Sequence, residues 1–184
     1  MPSTVQILGF AGSLSKQSYN RAILKVAQGL VPDGANLEII TLDDLPLYNR
    51  DYENDEPEVV RNFKDKIRKA DALLIATPEY NYSTPGVLKN AIDWASRPTG
   101  KSVLEGKPAA IMGAGGRFGT VRAQLHLRQI FLYLHMPVLM QPDVHVFNAW
   151  EKFDSDGNLT DEKTREQIKA LLLALISWTK QHSQ

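Results

Sequence analysis

The sequence of 184 residues contains no cysteine. A disulfide framework, a thiolate nucleophile and a cysteine-ligated zinc or iron–sulfur site are therefore excluded, and the absence suits a reducing compartment. An excess of charge is missing too, since 21 lysines and arginines face 21 aspartates and glutamates. Without a basic field nothing draws nucleic acid or anionic lipid, and without an acidic surplus nothing signals disorder. Small molecules and further copies of the chain are the partners expected. No apolar run reaches the roughly 20 residues that span a bilayer. The opening MPSTVQILGF leads into an apolar run with no basic region or small-residue cleavage site before it, so the expected location is the cytoplasm. The four histidines, His126, His135, His145 and His182, lack the H-E-x-x-H spacing of a zinc site, and no G-x-S-x-G elbow offers a serine nucleophile. Structural or surface roles are expected for all of them.

What is present is alternation. Short apolar, β-branched runs bounded by turn residues recur at 5–10, 37–41, 72–77, 109–113 and 137–146. Between them, segments 20–30, 57–69, 85–96, 119–135 and 161–181 carry apolar residues three or four apart, as with Val59, Phe63 and Ile67, which is the helical period. The first, third and fourth runs are almost wholly apolar, as parallel strands covered on both faces must be, whereas LEIIT at 37–41 is mixed like an edge strand. The last helix follows the turn-rich Asp154-Ser155-Asp156-Gly157-Asn158, with Thr160 as its expected N-cap. Five βα units joined by right-handed crossovers make an α/β three-layer sandwich, a five-stranded parallel sheet of order 2-1-3-4-5. The length suits one domain over residues 1–184, without repeats or linkers. In such a sheet ligands bind outside the carboxyl ends of the strands where the order reverses, so the chemistry should collect after strands 1, 3 and 4.

After the first strand comes Gly12-Ser13-Leu14-Ser15-Lys16-Gln17-Ser18-Tyr19-Asn20, running into a helix. Hydroxyls and amides at a helix N-terminus offer backbone N–H groups and the positive end of the dipole to an anion, and Lys16 adds a full charge. One phosphate monoester fits. Taken alone, the stretch reads equally as a helix capped by Ser18 or Asn20 behind a solvated loop. A P-loop is excluded by the absence of G-x-x-x-x-G-K-[ST], and the three glycines that admit a dinucleotide pyrophosphate are missing from this loop, which favours FMN. Asp43 and Asp44 stand where a dinucleotide-binding protein places its ribose acid; without that glycine pattern they are expected to start a turn.

After the third strand comes Thr77-Pro78-Glu79-Tyr80-Asn81-Tyr82-Ser83-Thr84-Pro85-Gly86. Pro78 and Pro85 fix the turn and the helix start, so the backbone of 79–81 is expected to present rigid N–H groups to the N5 and O4 edge of a flavin ring. Tyr80 and Tyr82, beside Asn81, read as site residues, and Trp94 as core. After the fourth strand, Gly113-Ala114-Gly115-Gly116-Arg117-Phe118-Gly119 is either a plain turn or, by position, a place where Gly113, Gly115 and Gly116 let backbone approach the ring. Arg117 is a phosphate contact or an ordinary solvated arginine. The following helix carries Leu125, Leu127, Ile130, Phe131, Leu132, Tyr133 and Leu134, more apolar surface than one buried face needs, so self-association is expected.

The run Pro78-Glu79-Tyr80-Asn81-Tyr82-Ser83-x-Pro85-Gly86-x-Leu88-Lys89-Asn90-Ala91-Ile92-Asp93-Trp94 closely resembles the signature of the NADPH-dependent FMN reductase family, which includes flavodoxin-like quinone and chromate reductases and related azoreductases. Gly12-Ser13-x-x-x-x-Ser18-x-Asn20, Leu45-Pro46-Leu47-Tyr48-Asn49 and His126-Leu127-Arg128-Gln129 extend the resemblance through about residue 135. It implies a flavodoxin-like fold, non-covalent FMN, and homodimers or homotetramers. Carried over by position, Ser13, Lys16, Ser18, Tyr19 and Asn20 hold the phosphate and ribityl chain, while Pro78, Glu79, Tyr80 and Asn81 line the isoalloxazine.

The resemblance further implies an oxidoreductase that takes NADPH or NADH as co-substrate. It would pass two electrons by a ping-pong mechanism to quinones or similar acceptors, with azo compounds, free flavin and chromate as further acceptors. Such chemistry belongs mainly to the cofactor and needs no side chain as an obligatory base. The alternative is a flavodoxin-type electron carrier with little direct NAD(P)H oxidation. Carriers dock through strongly acidic surfaces, and the zero formal charge speaks against that role.

Overall fold

The computed structural model describes residues 4–182. Its strands are β1 (Val5–Ala11), β2 (Ala35–Ile40), β3 (Ala72–Ala76), β4 (Ala109–Ala114) and β5 (Val144–Val146). Its helices are α1 (Tyr19–Gly29), α2 (Glu58–Lys69), α3 (Gly86–Ala95), α4 (Val121–Tyr133) and α5 (Glu162–His182), with single 3-10 turns at Arg50–Tyr52 and Ala149–Glu151. All strand pairs are parallel and the order is β2-β1-β3-β4-β5, the expected flavodoxin-like sheet. β3 and β4 are buried along their whole length, and β2 at the edge is mixed. α1 and α5 pack on one face, around Ile23, Leu24, Leu171 and Leu175. α2, α3 and α4 pack on the other, around Phe63, Leu88, Leu127 and Phe131. Two covered faces are what require near-continuous apolar strands. Among the described residues no helix is long and apolar enough to cross a membrane.

Three local expectations are corrected. The expected strand at 137–146 shrinks to Val144–Val146. Val138 makes an isolated parallel bridge to Ala109, and Leu139 N–H donates to the Ala109 carbonyl at 2.8 Å. The ladder is then interrupted, with Pro142, which has no N–H to give, inside the gap, and resumes at Val144 opposite Met112. In α2 Phe63 and Ile67 are buried as expected, but Val59 is only half-buried and Val60 and Lys64 complete the buried stripe. The Lys64 ammonium is tolerated inside because it donates to the Glu56 carboxylate and, at 2.6 Å, to the Arg97 carbonyl.

The third correction concerns the start of α5, which is capped by Asp161 rather than Thr160. The Asp161 carboxylate accepts the Thr164 N–H at 2.9 Å and its hydroxyl at 2.7 Å. Thr160 instead donates its hydroxyl to the Lys152 carbonyl at 3.2 Å. Lys152 also donates to Asp161 at 2.8 Å. These bonds, from Lys152 first and Thr164 next, hold the Asp161 carboxyl down at about 2.

Candidate functional site

The β1 loop leaves the sheet against the start of α3. Gly12 N–H donates to the Ala76 carbonyl at 2.8 Å. A Cβ at Gly12 would stand 2.9 Å from Pro85 Cγ and 3.0 Å from Leu88 Cβ, so only glycine lets the two segments meet. Arg21 secures the loop from α1 by donating from Nε to the Ser13 carbonyl at 2.9 Å and pairing with Asp43. Asp43 lies in a turn, as expected, and that turn is also an anchor. Ser13 is buried and its hydroxyl accepts the Ser15 N–H at 3.4 Å. Ser18 is the N-cap of α1, accepting the Arg21 N–H at 3.3 Å, and no acidic residue occupies the first turn. Lys16 is exposed. The Tyr19 ring lies 4.8 Å from that of Phe153. Asn20 is buried, and its amide donates to the Ala114 carbonyl at 2.8 Å and accepts the Ala114 N–H at 2.9 Å. Its side chain thus ties α1 to the end of β4.

In the β3 loop, Tyr80 and Ser83 exchange backbone hydrogen bonds of 3.0 Å in both directions. Between them Asn81 (φ 49°) and Tyr82 (φ 66°) are both left-handed, the geometry of a type I′ turn. The expected row of N–H donors at 79–81 is therefore shortened, because that of Tyr80 is spent inside the turn. Glu79 turns its carboxylate to α4, accepting the N–H groups of Arg122 at 3.0 Å and Ala123 at 3.2 Å and the Arg122 Nε–H at 2.6 Å. It acts as an anionic cap on α4, where Thr120, at φ 69°, makes no side-chain cap. The Arg122 guanidinium lies over the Tyr82 ring at 3.6 Å and the Phe118 ring at 4.0 Å. Desolvation works against its charge, but Glu79 and then Tyr82 outweigh it and hold the guanidinium above its ordinary value. One turn further along α4, His126 Nδ1 shares a hydrogen bond of 2.9 Å with the Ser83 hydroxyl.

Gly113 and Gly115, at the end of β4 and just after it, serve packing first. Gly113 lies inside β4, and a Cβ on it would stand 2.0 Å from Thr120 Oγ1 and 2.5 Å from the Thr77 carbonyl oxygen. At Gly115 it would meet Thr120 Cγ2 at 2.9 Å. Gly116 is exposed, and a Cβ there would find Trp150 at 3.6 Å. Arg117 is exposed beside Phe118. A fourth segment, absent from the sequence reading, joins the three loops: Asn148 and Ala149 donate to the Gly116 and Gly115 carbonyls at 3.0 and 2.9 Å. Phe147 packs on Gly119. No motif marks this segment; the signal available was two large aromatics, Phe147 and Trp150, just after the last strand.

The three predicted loops are therefore neighbours, and the aromatic rings at their rim, Tyr80, Tyr82, Phe118, Phe147 and Trp150, are 48–64% exposed. Half-exposed rings gathered at one sheet edge mark a binding surface rather than scattered apolar residues. Beside the α1 N-terminus runs a groove of about 660 Å³, lined by Lys16, Ser18 and Tyr19 on one side and the turn at 154–158 on the other.

The residues present fit FMN. Of the α1 and α4 N-termini, that of α4 is filled by the Glu79 carboxylate, whereas the first turn of α1 holds no acid and has Lys16 and serine hydroxyls beside it. A phosphate monoester is suited to α1. At the foot of the β3 loop, Thr84 Oγ1 is buried without a protein partner among the described residues. The aromatic rim supplies apolar surface for a planar ring.

Comparison with known proteins agrees with this reading. Residues 5–151 match the family model for NADPH-dependent FMN reductase. An NAD(P)H-dependent FMN reductase of Pseudomonas aeruginosa is 51% identical over 182 residues, covering 98% of each chain. A 2-hydroxy-1,4-benzoquinone reductase of a Burkholderia species is 42% identical, covering 96% of this chain and 97% of its own. Among solved structures, the flavoenzyme NAD(P)H:(acceptor) oxidoreductase of Paracoccus denitrificans superimposes with a TM-score of 0.86 at 37% identity, covering 97% of this chain and 98% of its own.

Proposed function

The chain belongs to the NADPH-dependent FMN reductase family, and from that premise we propose that it is an FMN-dependent NAD(P)H oxidoreductase that reduces quinones. The observation that carries the reading is the pairing of an acid-free, Lys16-flanked α1 N-terminus with an aromatic rim at the same sheet edge. The relatives named above as FMN and quinone reductases support the substrate classes.

When bound without a covalent link, FMN supplies the two-electron chemistry, with NAD(P)H oxidised in one half-reaction and the acceptor reduced in the other. The chain's own residues bind and orient. Lys16, Ser13, Ser18 and Tyr19 hold the phosphate and ribityl chain, and Asn20 acts through the Ala114 backbone by fixing α1 against β4. The backbone of Pro78, Glu79, Tyr80 and Asn81, with Gly116, borders the ring. Tyr82, Phe118, Phe147 and Trp150 form the walls against which a planar acceptor stacks. No acid–base side chain is needed: the carboxylate of Glu79 is committed to α4 and the imidazole of His126 to Ser83.

The chain works as one domain built on a single sheet, and as a homodimer or homotetramer. Leu127 and Phe131 of α4 are buried, but Leu125, Leu132 and Tyr133 remain 58–80% exposed, which leaves an apolar surface for a second copy.

The test is to load the purified protein with FMN and add NADPH or NADH anaerobically, followed by a benzoquinone. The flavin band should bleach and then return. A protein that takes up no FMN overturns the cofactor, and one that stays yellow with both nucleotides overturns the reductase.

A further inference from the structure

The β3 loop is held in an uncomfortable conformation by contacts from the start of α4, most of them from Arg122, with Ala123 and His126 adding one hydrogen bond each. Tyr82 sits at φ 66°, a region that bulky side chains enter rarely and keep only when their surroundings impose it. Its ring lies 3.6 Å from the Arg122 guanidinium, which also lies 4.0 Å from the Phe118 ring, the two rings being 6.3 Å apart and inclined at 54°. The edge of the same guanidinium is engaged by Glu79, which also takes the Arg122 and Ala123 N–H groups. One planar cation thus holds the loop at two points, Glu79 before the turn and Tyr82 within it, while the Glu79 carboxylate fastens the assembly to the start of α4. The pair is largely shielded, with side-chain exposures of 25% for Arg122 and 10% for Glu79, so water competes weakly for it.

We propose that Arg122 is a positioning residue for the flavin site, holding the ring-side β3 loop in its binding geometry through Glu79 and Tyr82. This rests on the FMN reading above. The role needs a plane and a fork together: the plane for the two rings, the fork for the carboxylate. Lysine keeps the charge and loses both. Because the clamp acts at the ring end of the site and the phosphate is held at α1, losing it should weaken FMN and riboflavin alike.

The experiment compares wild-type protein with Arg122→Ala, Arg122→Lys and Glu79→Gln. It measures flavin dissociation constants by fluorescence for FMN and for riboflavin, amide hydrogen exchange at Tyr80 and Ser83 in the flavin-free protein, and thermal melting. Arg122→Ala should weaken both flavins by the same factor, about tenfold or more, and speed exchange at Tyr80 and Ser83. Arg122→Lys should recover less than half of the loss on a logarithmic scale, with Glu79→Gln in between. Unchanged affinity in all variants, loss confined to FMN, or full rescue by lysine overturns the proposal. If Arg122→Ala does not fold, the lysine and glutamine variants carry the same comparison. Should wild-type protein bind no flavin, the cofactor reading fails, and exchange at Tyr80 and Ser83 still decides the clamp.

Discussion

Asn20 on α1 and Ala114 at the end of β4 exchange two hydrogen bonds, the Asn20 amide donating at 2.8 Å and accepting at 2.9 Å. Buried polar groups left without partners cost about 1–3 kcal/mol each. Asn20→Ala should therefore lower stability by roughly 2–4 kcal/mol, since it strands both the N–H and the carbonyl of Ala114. Chemical denaturation reads this directly, and a loss under about 0.5 kcal/mol would show that the tie carries nothing. FMN affinity should fall in parallel, because α1 and the β1 loop are placed by this contact.

Gly113→Ala adds a Cβ 2.0 Å from Thr120 Oγ1 and 2.5 Å from the Thr77 carbonyl oxygen. The first clash is with a side chain and the second with backbone at the centre of the sheet. The substitution should cost more than about 3 kcal/mol or prevent folding. Adding Thr120→Ala should restore only part of it, because the carbonyl cannot move away. Melting temperatures of the single and double variants decide the matter.

Asp161 links stability to acid pH. Its carboxyl is lowered from an ordinary 3.8 to about 2 by Lys152 and Thr164. A depressed folded-state value means that the unfolded chain binds the proton first. The stabilisation is therefore full above about pH 4 and is lost as the pH falls towards 2. Asp161→Asn should be less stable than wild type by about 1–2 kcal/mol at neutral pH. Denaturation curves of the two should converge between pH 4 and 2, and a gap that is constant with pH would refute the linkage.

Lys16→Ala probes the phosphate end. FMN affinity should drop about tenfold, while riboflavin, which has no phosphate, should bind as before. Equal losses for both flavins would place Lys16 elsewhere in the site. Variants at Arg122 are expected to lose affinity for both flavins equally, so the two ends of the site can be told apart in one assay.

Leu132→Glu and Tyr133→Glu place charges on the exposed side of α4, where Leu132 is 78% and Tyr133 80% exposed. Analytical ultracentrifugation should show an oligomer for the wild type that dissociates in these variants without loss of helical circular dichroism. A wild-type monomer at micromolar concentration would end the proposal of self-association.

The fold was legible because its strongest determinants are local. Runs such as ALLIA and AAIMGA declare strands covered on both faces, and right-handed crossovers leave few ways of ordering five of them. Where a segment's partner lies far away in sequence, local pattern does not fix it. The broad strand expected at 137–146 depended on whether β4 offered hydrogen bonds along its length, and only Val144–Val146 pairs as a strand. No local pattern marks Lys64 as buried, because its partners, Glu56 and the Arg97 carbonyl, are brought to it by the fold.

The chemistry of the site divides in the same way. Residue type and spacing by themselves determined that hydroxyls, Lys16 and a helix start follow β1, that prolines bracket a Tyr-Asn-Tyr turn after β3, and that the two lie beside each other at the switch in strand order. These properties follow from backbone periodicity and parallel topology. Only the tertiary structure decided where the side chains point: Glu79 to α4, Asn20 to Ala114, Arg122 between Tyr82 and Phe118, and Phe147 and Trp150 onto the β4 loop. A carboxylate or guanidinium carries no local preference among donors of similar strength, so its partner is the one that packing brings within about 3 Å.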